Sequence, residues 1–334
     1  MLMKQDRNKL IGVFISIAII SFLFLVSLAY GYTKTNFRMV FDAYLAFDDS
    51  VEHVVIQTMR MPRAVIATLV GAALGVSGAI MQALTRNAMA SPGILGINAG
   101  ASFSVVLGMT LFNVYSLQGF MWLAFLGALG AAISVYILGS IGRGGLTKLK
   151  LTMAGVVLSS LFSSLTTGML ILSENRLESV MFWMAGSVEG RKLELVSPVL
   201  PFIILGLVVA ILISSKINAL QLGEDVAKGL GQKTWLVKSL GLLVVVLLSG
   251  GAVSMAGPIG FVGLIVPHIV RGLIGIDHRW VIPFCAIFGA GLMLAADILA
   301  RFILFPSEVP VGVATAVAGA PFFIYLARKE VVKG

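Results

Sequence analysis

Three histidines, a single cysteine and one carboxylate inside an apolar run are the residues whose chemistry must be placed first. His53, His268 and His278 are scattered along the chain, and no metal-ligand spacing links them. There is no H-E-x-x-H, no G-x-S-x-G and no paired acidic site with a histidine beside it. The nearest thing to a nucleotide loop is Gly231-Gln232-Lys233-Thr234. A P-loop needs glycine directly before the lysine and another five positions earlier, because backbone amides must wrap the phosphates. Gln232 and Ala227 stand in those places. The chain is therefore expected to bind no cofactor and to catalyse nothing itself, so any ATP hydrolysis falls to a partner subunit. Cys285 lies in an apolar run and reads as a small core residue. Asp297 is the acidic residue that falls well within an apolar stretch, and Arg301 follows at i+4 on the same helix face. A structural ion pair and a transport role both remain open for it.

The elements that position these residues follow from composition. Of 334 residues, 58% are hydrophobic and 12% charged, with a mean hydropathy of +1.02. Soluble domains carry about 25% charged residues. So much apolar surface implies lipid as solvent. Apolar runs long enough to cross a bilayer fall at 10–29, 64–84, 94–113, 119–141, 151–172, 196–214, 235–255, 258–275, 280–300 and 309–327. The fold class expected is thus all-α integral membrane, with about ten transmembrane helices. The first run exceeds a signal-peptide core and has no small-x-small cleavage site after it, so it reads as helix 1. Asn98, Ser102 and Ser104 in the third run should face protein or a wet cavity. With both termini cytoplasmic, sixteen of the 24 lysines and arginines lie inside, as the positive-inside rule requires. The charge of +9 is then mostly topology, not a nucleic-acid site. No linker or soluble domain is apparent, so residues 1–334 read as a single transmembrane domain. Its longest outer connections are near 30–63 and 173–195, and its longest inner one is near 215–234.

Four stretches carry polar or backbone-breaking residues at the predicted membrane faces. On the outer side, Arg60-Met61-Pro62-Arg63 places two cations around a proline that fixes the local backbone. They read either as interfacial anchors or as a docking site for carboxylates of an external partner, which Arg301 could join. On the inner side, Leu222-Gly223-Glu224-Asp225-Val226-Ala227-Lys228-Gly229-Leu230-Gly231 predicts a short helix from Glu224 to Lys228. Acidic residues complement its start, and Gly229 and Gly231 suit its stop and turn. It is either a surface for an intracellular partner or an amphipathic piece resting on headgroups. Arg86-Asn87-Ala88-Met89-Ala90-Ser91-Pro92-Gly93 joins two spans at the inner face with irregular backbone, which is tolerated where it lines a cavity or gate. Finally, Pro267 should kink the span that begins near Gly257. There Gly260 and Gly263 would admit a close neighbour, and His268 reads as a bonded interface residue.

Together these motifs resemble the FecCD family of ABC-importer permeases, which take up iron-siderophores, haem and vitamin B12. The resemblance extends to Trp183-Met184-Ala185-Gly186-Ser187, to Ala296-Asp297-Ile298-Leu299-Ala300-Arg301, and to the tail from Pro310 through Phe323. It implies a type II importer permease fold in a bacterial cell membrane. It also implies a second permease subunit, identical or paralogous, two cytoplasmic ATPases and an external substrate-binding protein. On that resemblance, Arg60, Arg63 and Arg301 match arginines that pair with glutamates of the binding protein. Leu222, Gly223, Glu224, Asp225, Ala227, Lys228, Gly229 and Gly231 match the ATPase-coupling segment, and Asn87, Ala88 and Met89 match the cytoplasmic gate. The family usually has proline and leucine after the asparagine, so Ala88 and Met89 suggest a more pliable gate loop. The implied cycle is alternating access driven by ATP, with an iron-siderophore favoured as cargo over vitamin B12 or haem. A secondary transporter is the rival class, and Asp297 alone speaks for it.

Overall fold

A computed structural model describes residues 6–141, 147–171, 181, 183–304 and 307–331. Parts of the outer connection expected at 173–195, and Lys4, Arg143, Arg176 and Lys333 among the counted cations, lie outside the described residues. Helix α1 is Asp6–Ala29, followed by the short helices α2, Phe37–Leu45, and α3, Val51–Val55. A π-helical turn, Ile56–Arg60, leads into α4, Met61–Thr85. Then come α5, Ile97–Leu111, α6, Leu117–Ser140, and α7, Lys148–Ile171. They are followed by α8, Val196–Leu222, the six-residue α9, Glu224–Gly229, and α10, Thr234–Ala256. The last three are α11, Val262–Ile274, α12, His278–Ile303, and α13, Val311–Val331.

Each expected apolar run is a helix among the described residues, but α5 and α11 are shorter than their runs. Fifteen and thirteen residues span only about 22 and 20 Å, against a hydrocarbon core of about 30 Å. The balance is irregular backbone, 87–96 before α5 and 257–261 before α11. Such backbone needs protein around it at membrane depth. Ala90, Ser91, Leu95 and Ile259 are accordingly buried, and the Asn98 amide donates to the Ile259 carbonyl at 3.2 Å. Asn98 and Ser102 face protein, as expected.

Helix α4 is the centre of the bundle, with α12, α10 and α11 packed around it. Small residues allow this. A Cβ on Gly71 would sit 2.2 Å from the Gly289 carbonyl oxygen, and one on Gly75 2.3 Å from that of Cys285. The backbones of α4 and α12 therefore touch directly, the close approach that small residues permit between membrane helices. Gly263 fulfils its expected role, since a Cβ on facing Gly78 would strike the Gly263 carbonyl at 1.9 Å. Gly260 does not: nothing lies within 4 Å of a Cβ built there, because it sits in the turn before α11 rather than in the packed helix. Pro267 lies inside α11, and the His268 ring meets Phe322 of α13 edge-on. Cys285 is fully buried against α4. At the inner end, the Lys9 ammonium of α1 sits over the Trp280 ring of α12.

Candidate functional site

At the outer end, the π-helical turn and the start of α4 bring Arg60 and Arg63 beside the end of α12. Pro62 is the second residue of α4, directly after the π-helical turn. Arg60 donates to the Leu28 carbonyl at 2.8 Å, the Thr33 carbonyl at 2.5 Å and the Thr35 hydroxyl at 2.5 Å. Arg301 donates to the carbonyls of Ser27 and Tyr30 at 2.7 and 2.8 Å, and to the Ser27 hydroxyl at 2.8 Å. The last carbonyls of a helix lack intrahelical donors and attract cations. Two arginines from distant segments thus satisfy the C-terminal turn of α1.

Asp297, wholly buried, joins the cluster. It accepts from Arg63 Nε at 2.8 Å and from Arg301 Nη2 at 2.5 Å. Arg63 Nη1 reaches a second carboxylate, Glu308 just before α13, at 2.5 Å. A buried carboxylate held by two guanidinium groups is the paired arrangement that low dielectric demands. The ion-pair reading of Asp297 fits this geometry, with Arg63 as an additional partner.

These contacts leave the three outer arginines with little exposure. Arg60 and Arg301 are buried at 5% and 4% exposure, because their guanidinium groups are drawn to helix carbonyls and to Asp297. Arg63 is 11% exposed, and its partner Glu308 is 21% exposed. Glu308 carries no motif, and only the fold brings it to Arg63. The histidines are structural too. His53 Nδ1 lies 2.7 Å from Asp48, whose carboxyl a Ser50 hydrogen bond holds below its ordinary range. His278 bonds Asn218.

At the inner end, Gly223 alone separates α8 from α9, with φ of 135°, a value that glycine adopts readily. The expected short helix is present, one residue longer at its end. Glu224 is bonded to Lys238 at 2.6 Å and lies 3.6 Å from Lys228. It holds α9 to α10, and the Lys238 hydrogen bond keeps its carboxyl below the ordinary range. Ala227 is buried beneath, and Asp225, Lys228, Gly229 and Gly231 are exposed. Leu222 and Leu230 are 70% and 69% exposed, with Val226 exposed between them. They mark the end of α8, the middle of α9 and the residue just after α9, so apolar side chains are exposed all through this inner-face segment.

Arg86, just before the segment expected to gate, is in left-handed conformation at φ 49°. The Asn87 carboxamide oxygen accepts from the Met89 amide at 3.0 Å, and the Asn87 carbonyl from Ala90 at 3.1 Å. The Asn87 side-chain nitrogen faces the Thr152 hydroxyl of α7 at 3.4 Å. Ala88 and Met89 are half-buried. The loop expected to be pliable is thus bonded within itself.

Helix α7 carries a feature that the apolar runs conceal. Ser160, Ser163, Ser164 and Thr167 are all exposed along it. A row of hydroxyls on a membrane-crossing helix suits a wet cavity or a second polypeptide better than lipid.

Comparison with known proteins places this geometry among relatives. The model of the FecCD transport family matches residues 19–329. The "Probable siderophore transport system permease protein YfiZ" of Bacillus subtilis (strain 168) is 50% identical over 98% of this chain and 99% of its own. The "Ferric enterobactin transport system permease protein FepD" of Escherichia coli (strain K12) is 40% identical over 91% of each chain. The "Cobalamin import system permease protein BtuC" of Halobacterium salinarum is 39% identical over 84% of this chain and 75% of its own. Among solved structures, one described as "An inward-facing conformation of a putative metal-chelate type ABC transporter" matches with a TM-score of 0.81. It shares 30% identity and covers 95% of this chain and 98% of that one.

Proposed function

The chain belongs to the FecCD transport family, and from that premise we propose that it is the membrane permease of an ATP-driven importer for ferric siderophores. The observation that carries this reading is the match of two siderophore permeases, at 50% and 40% identity, along nearly the whole chain. The cobalamin relative at 39% keeps vitamin B12 as the second reading.

In the proposed cycle a separate ATPase binds and hydrolyses ATP, and the permease contributes shape. The reading of Leu222 to Gly231 as the ATPase contact is supported by the exposed apolar side chains of Leu222 at the end of α8, Val226 in α9 and Leu230 just after it. Glu224 serves as the tether of α9 to α10. The docking role implied for Arg60, Arg63 and Arg301 narrows to a division of labour. Arg63 meets a carboxylate of the external binding protein, exchanging Glu308 for it, while Arg60 and Arg301 hold α1 in place. Asn87, Ala88 and Met89 form the inner gate, and the hydroxyl row of α7 lines the path or the seam with a second permease subunit. Weak polar contacts suit cargo that must enter and leave. Direction comes from ATP, because cargo shifts an equilibrium only by its differential affinity for the two states.

Affinity purification of the tagged chain from its native membrane tests the class. An ATPase subunit should copurify and be lost in Leu230→Asp. Cargo transport by the chain reconstituted without any ATPase would instead establish a secondary transporter.

A further inference from the structure

The last two turns of α8 are bonded to each element that a transmission joint would need to reach. The Lys216 carbonyl accepts from Gln232 in the turn after α9 at 3.1 Å. The Asn218 amide donates to Asp277 at 2.6 Å, and its oxygen accepts from the His278 backbone at 2.9 Å, at the start of α12. The Leu220 carbonyl accepts from Arg86 at 2.7 Å, and Gln221 donates to the Ala83 carbonyl of α4 at 2.7 Å.

The last pair of contacts is a reciprocal cap. Leu220 and Ala83 lie in the final turns of α8 and α4, where each carbonyl takes a backbone N–H from three residues on, Gly223 and Arg86 at 3.3 Å, and the side-chain donor as a second, shorter bond. Arg86 of the α4 end serves α8, and Gln221 of the α8 end serves α4. Arg86 also brings positive charge to two helix C-termini, where it is favoured. The next residue after Arg86 is Asn87, the start of the gate loop. Only Gly223 separates Leu222 from α9.

Helices α4 and α12 are packed together as a beam. They touch backbone to backbone at Gly71 and Gly289, and Arg63–Asp297 ties them at the outer end. At the inner end both are fastened to α8, one through Arg86 and Gln221, the other through Asn218. A helix of 26 residues is about 39 Å long, enough to join the two faces.

We propose that the end of α8 is the joint that converts movement of α9 into movement of the gate loop and of the α4–α12 beam, with Arg86, Asn218 and Gln221 as its positioning residues. The inference rests on the reading of α9 as the ATPase contact. Contiguous bonding is not coupling, so the test must measure coupling itself.

The complete complex of permeases, ATPases and binding protein is reconstituted in liposomes, with iron-siderophore import and ATP hydrolysis measured together. Arg86→Leu, Asn218→Leu and Gln221→Leu should each lower cargo moved per ATP by at least about fivefold, the scale of ordinary site-to-site coupling. Copurified ATPase should stay at its normal ratio. Arg86→Lys, which keeps a cationic donor, should recover most of the ratio. Gln221→Glu, which loses the donor but stays polar, should not. A purely structural cap would lower thermal stability and leave cargo per ATP unchanged, which would overturn the proposal. If Arg86→Leu does not assemble, Gln221→Leu and Asn218→Leu decide by the same ratio. If Leu230→Asp retains the ATPase, the reading of α9 fails and the joint with it. If Leu230→Asp releases the ATPase but the α8 variants keep a normal ratio, only the joint fails.

Discussion

Arg63 and Asp297, 234 positions apart in sequence, meet at 2.8 Å inside the outer end of the bundle. Asp297 also holds Arg301, four residues on, at 2.5 Å. One buried carboxylate thus fastens the start of α4 to the end of α12, and Arg301 carries the fastening on to α1. Removing it leaves two guanidinium groups facing each other in low dielectric. Asp297→Asn should lower stability by about 3–5 kcal/mol, the cost of leaving a buried charge uncompensated. Thermal unfolding in detergent checks this. An unchanged midpoint would show that water reaches the cluster and screens it.

Arg60 and Arg63 should respond differently to loss of their charge. Arg60→Glu sets a carboxylate against the Leu28 and Thr33 carbonyls, so it should impair folding and lower the yield of intact protein. Arg63→Gln, which can still donate to Asp297, should leave the yield nearer normal and should weaken binding-protein docking at least about tenfold. Glu308→Gln, which removes the internal competitor for Arg63, should tighten docking. Surface plasmon resonance with the purified binding protein over the reconstituted complex reads all three. Weaker docking in Glu308→Gln would mean that Glu308 positions Arg63 rather than competing for it.

The contact between α4 and α12 leaves no room for a methyl group. Gly71→Ala puts a Cβ within 2.2 Å of the Gly289 carbonyl oxygen. Backbones must separate to admit it, at a cost of about 1–3 kcal/mol. The midpoint of thermal unfolding should fall accordingly. Gly168→Ala, where nothing lies within 4 Å, should leave it unchanged.

Glu224 sets a pH limit on the inner face. Its folded carboxyl lies below its ordinary value of 4.5, mainly through the Lys238 hydrogen bond. A depressed carboxyl contributes stability that is complete above the ordinary value and is lost as pH falls through the folded value. ATPase association should therefore be insensitive to this group between about pH 5 and 8 and weaken in stronger acid. Glu224→Gln should weaken association at neutral pH and reduce the acid dependence. Pull-down of the ATPase across that range is the measurement. An acid dependence unchanged in Glu224→Gln would assign it to another group.

Hydropathy makes the ten long or apolar helices legible, because lipid requires continuous apolar runs. It overstates α5 and α11, since the irregular residues 94–96 and 258–261 continue the apolar runs of the helices they precede. Charge type and side of the membrane single out Arg60, Arg63 and Arg301, yet nothing local reveals their partners. Asp297 with Arg301 is visible through i+4 spacing, whereas Arg63 with Asp297 and Glu308 depends on distant helix ends meeting. The reciprocal cap of Arg86 and Gln221 is hidden for the same reason. It exists because two helices stop at the same depth, side by side. The hydroxyls of α7 were in plain view in the sequence, but a span with some serines reads the same whether they face inward or outward.

The central claim is that this chain carries ferric siderophores inward at the expense of ATP. The most direct measurement is uptake of labelled ferric siderophore in cells with and without the chain, with a siderophore panel and vitamin B12 as competitors. The account predicts uptake that is lost without the chain, restored by the intact gene, and abolished when the partner ATPase is disabled. Full iron uptake without the chain, in cells lacking other siderophore importers, would contradict it.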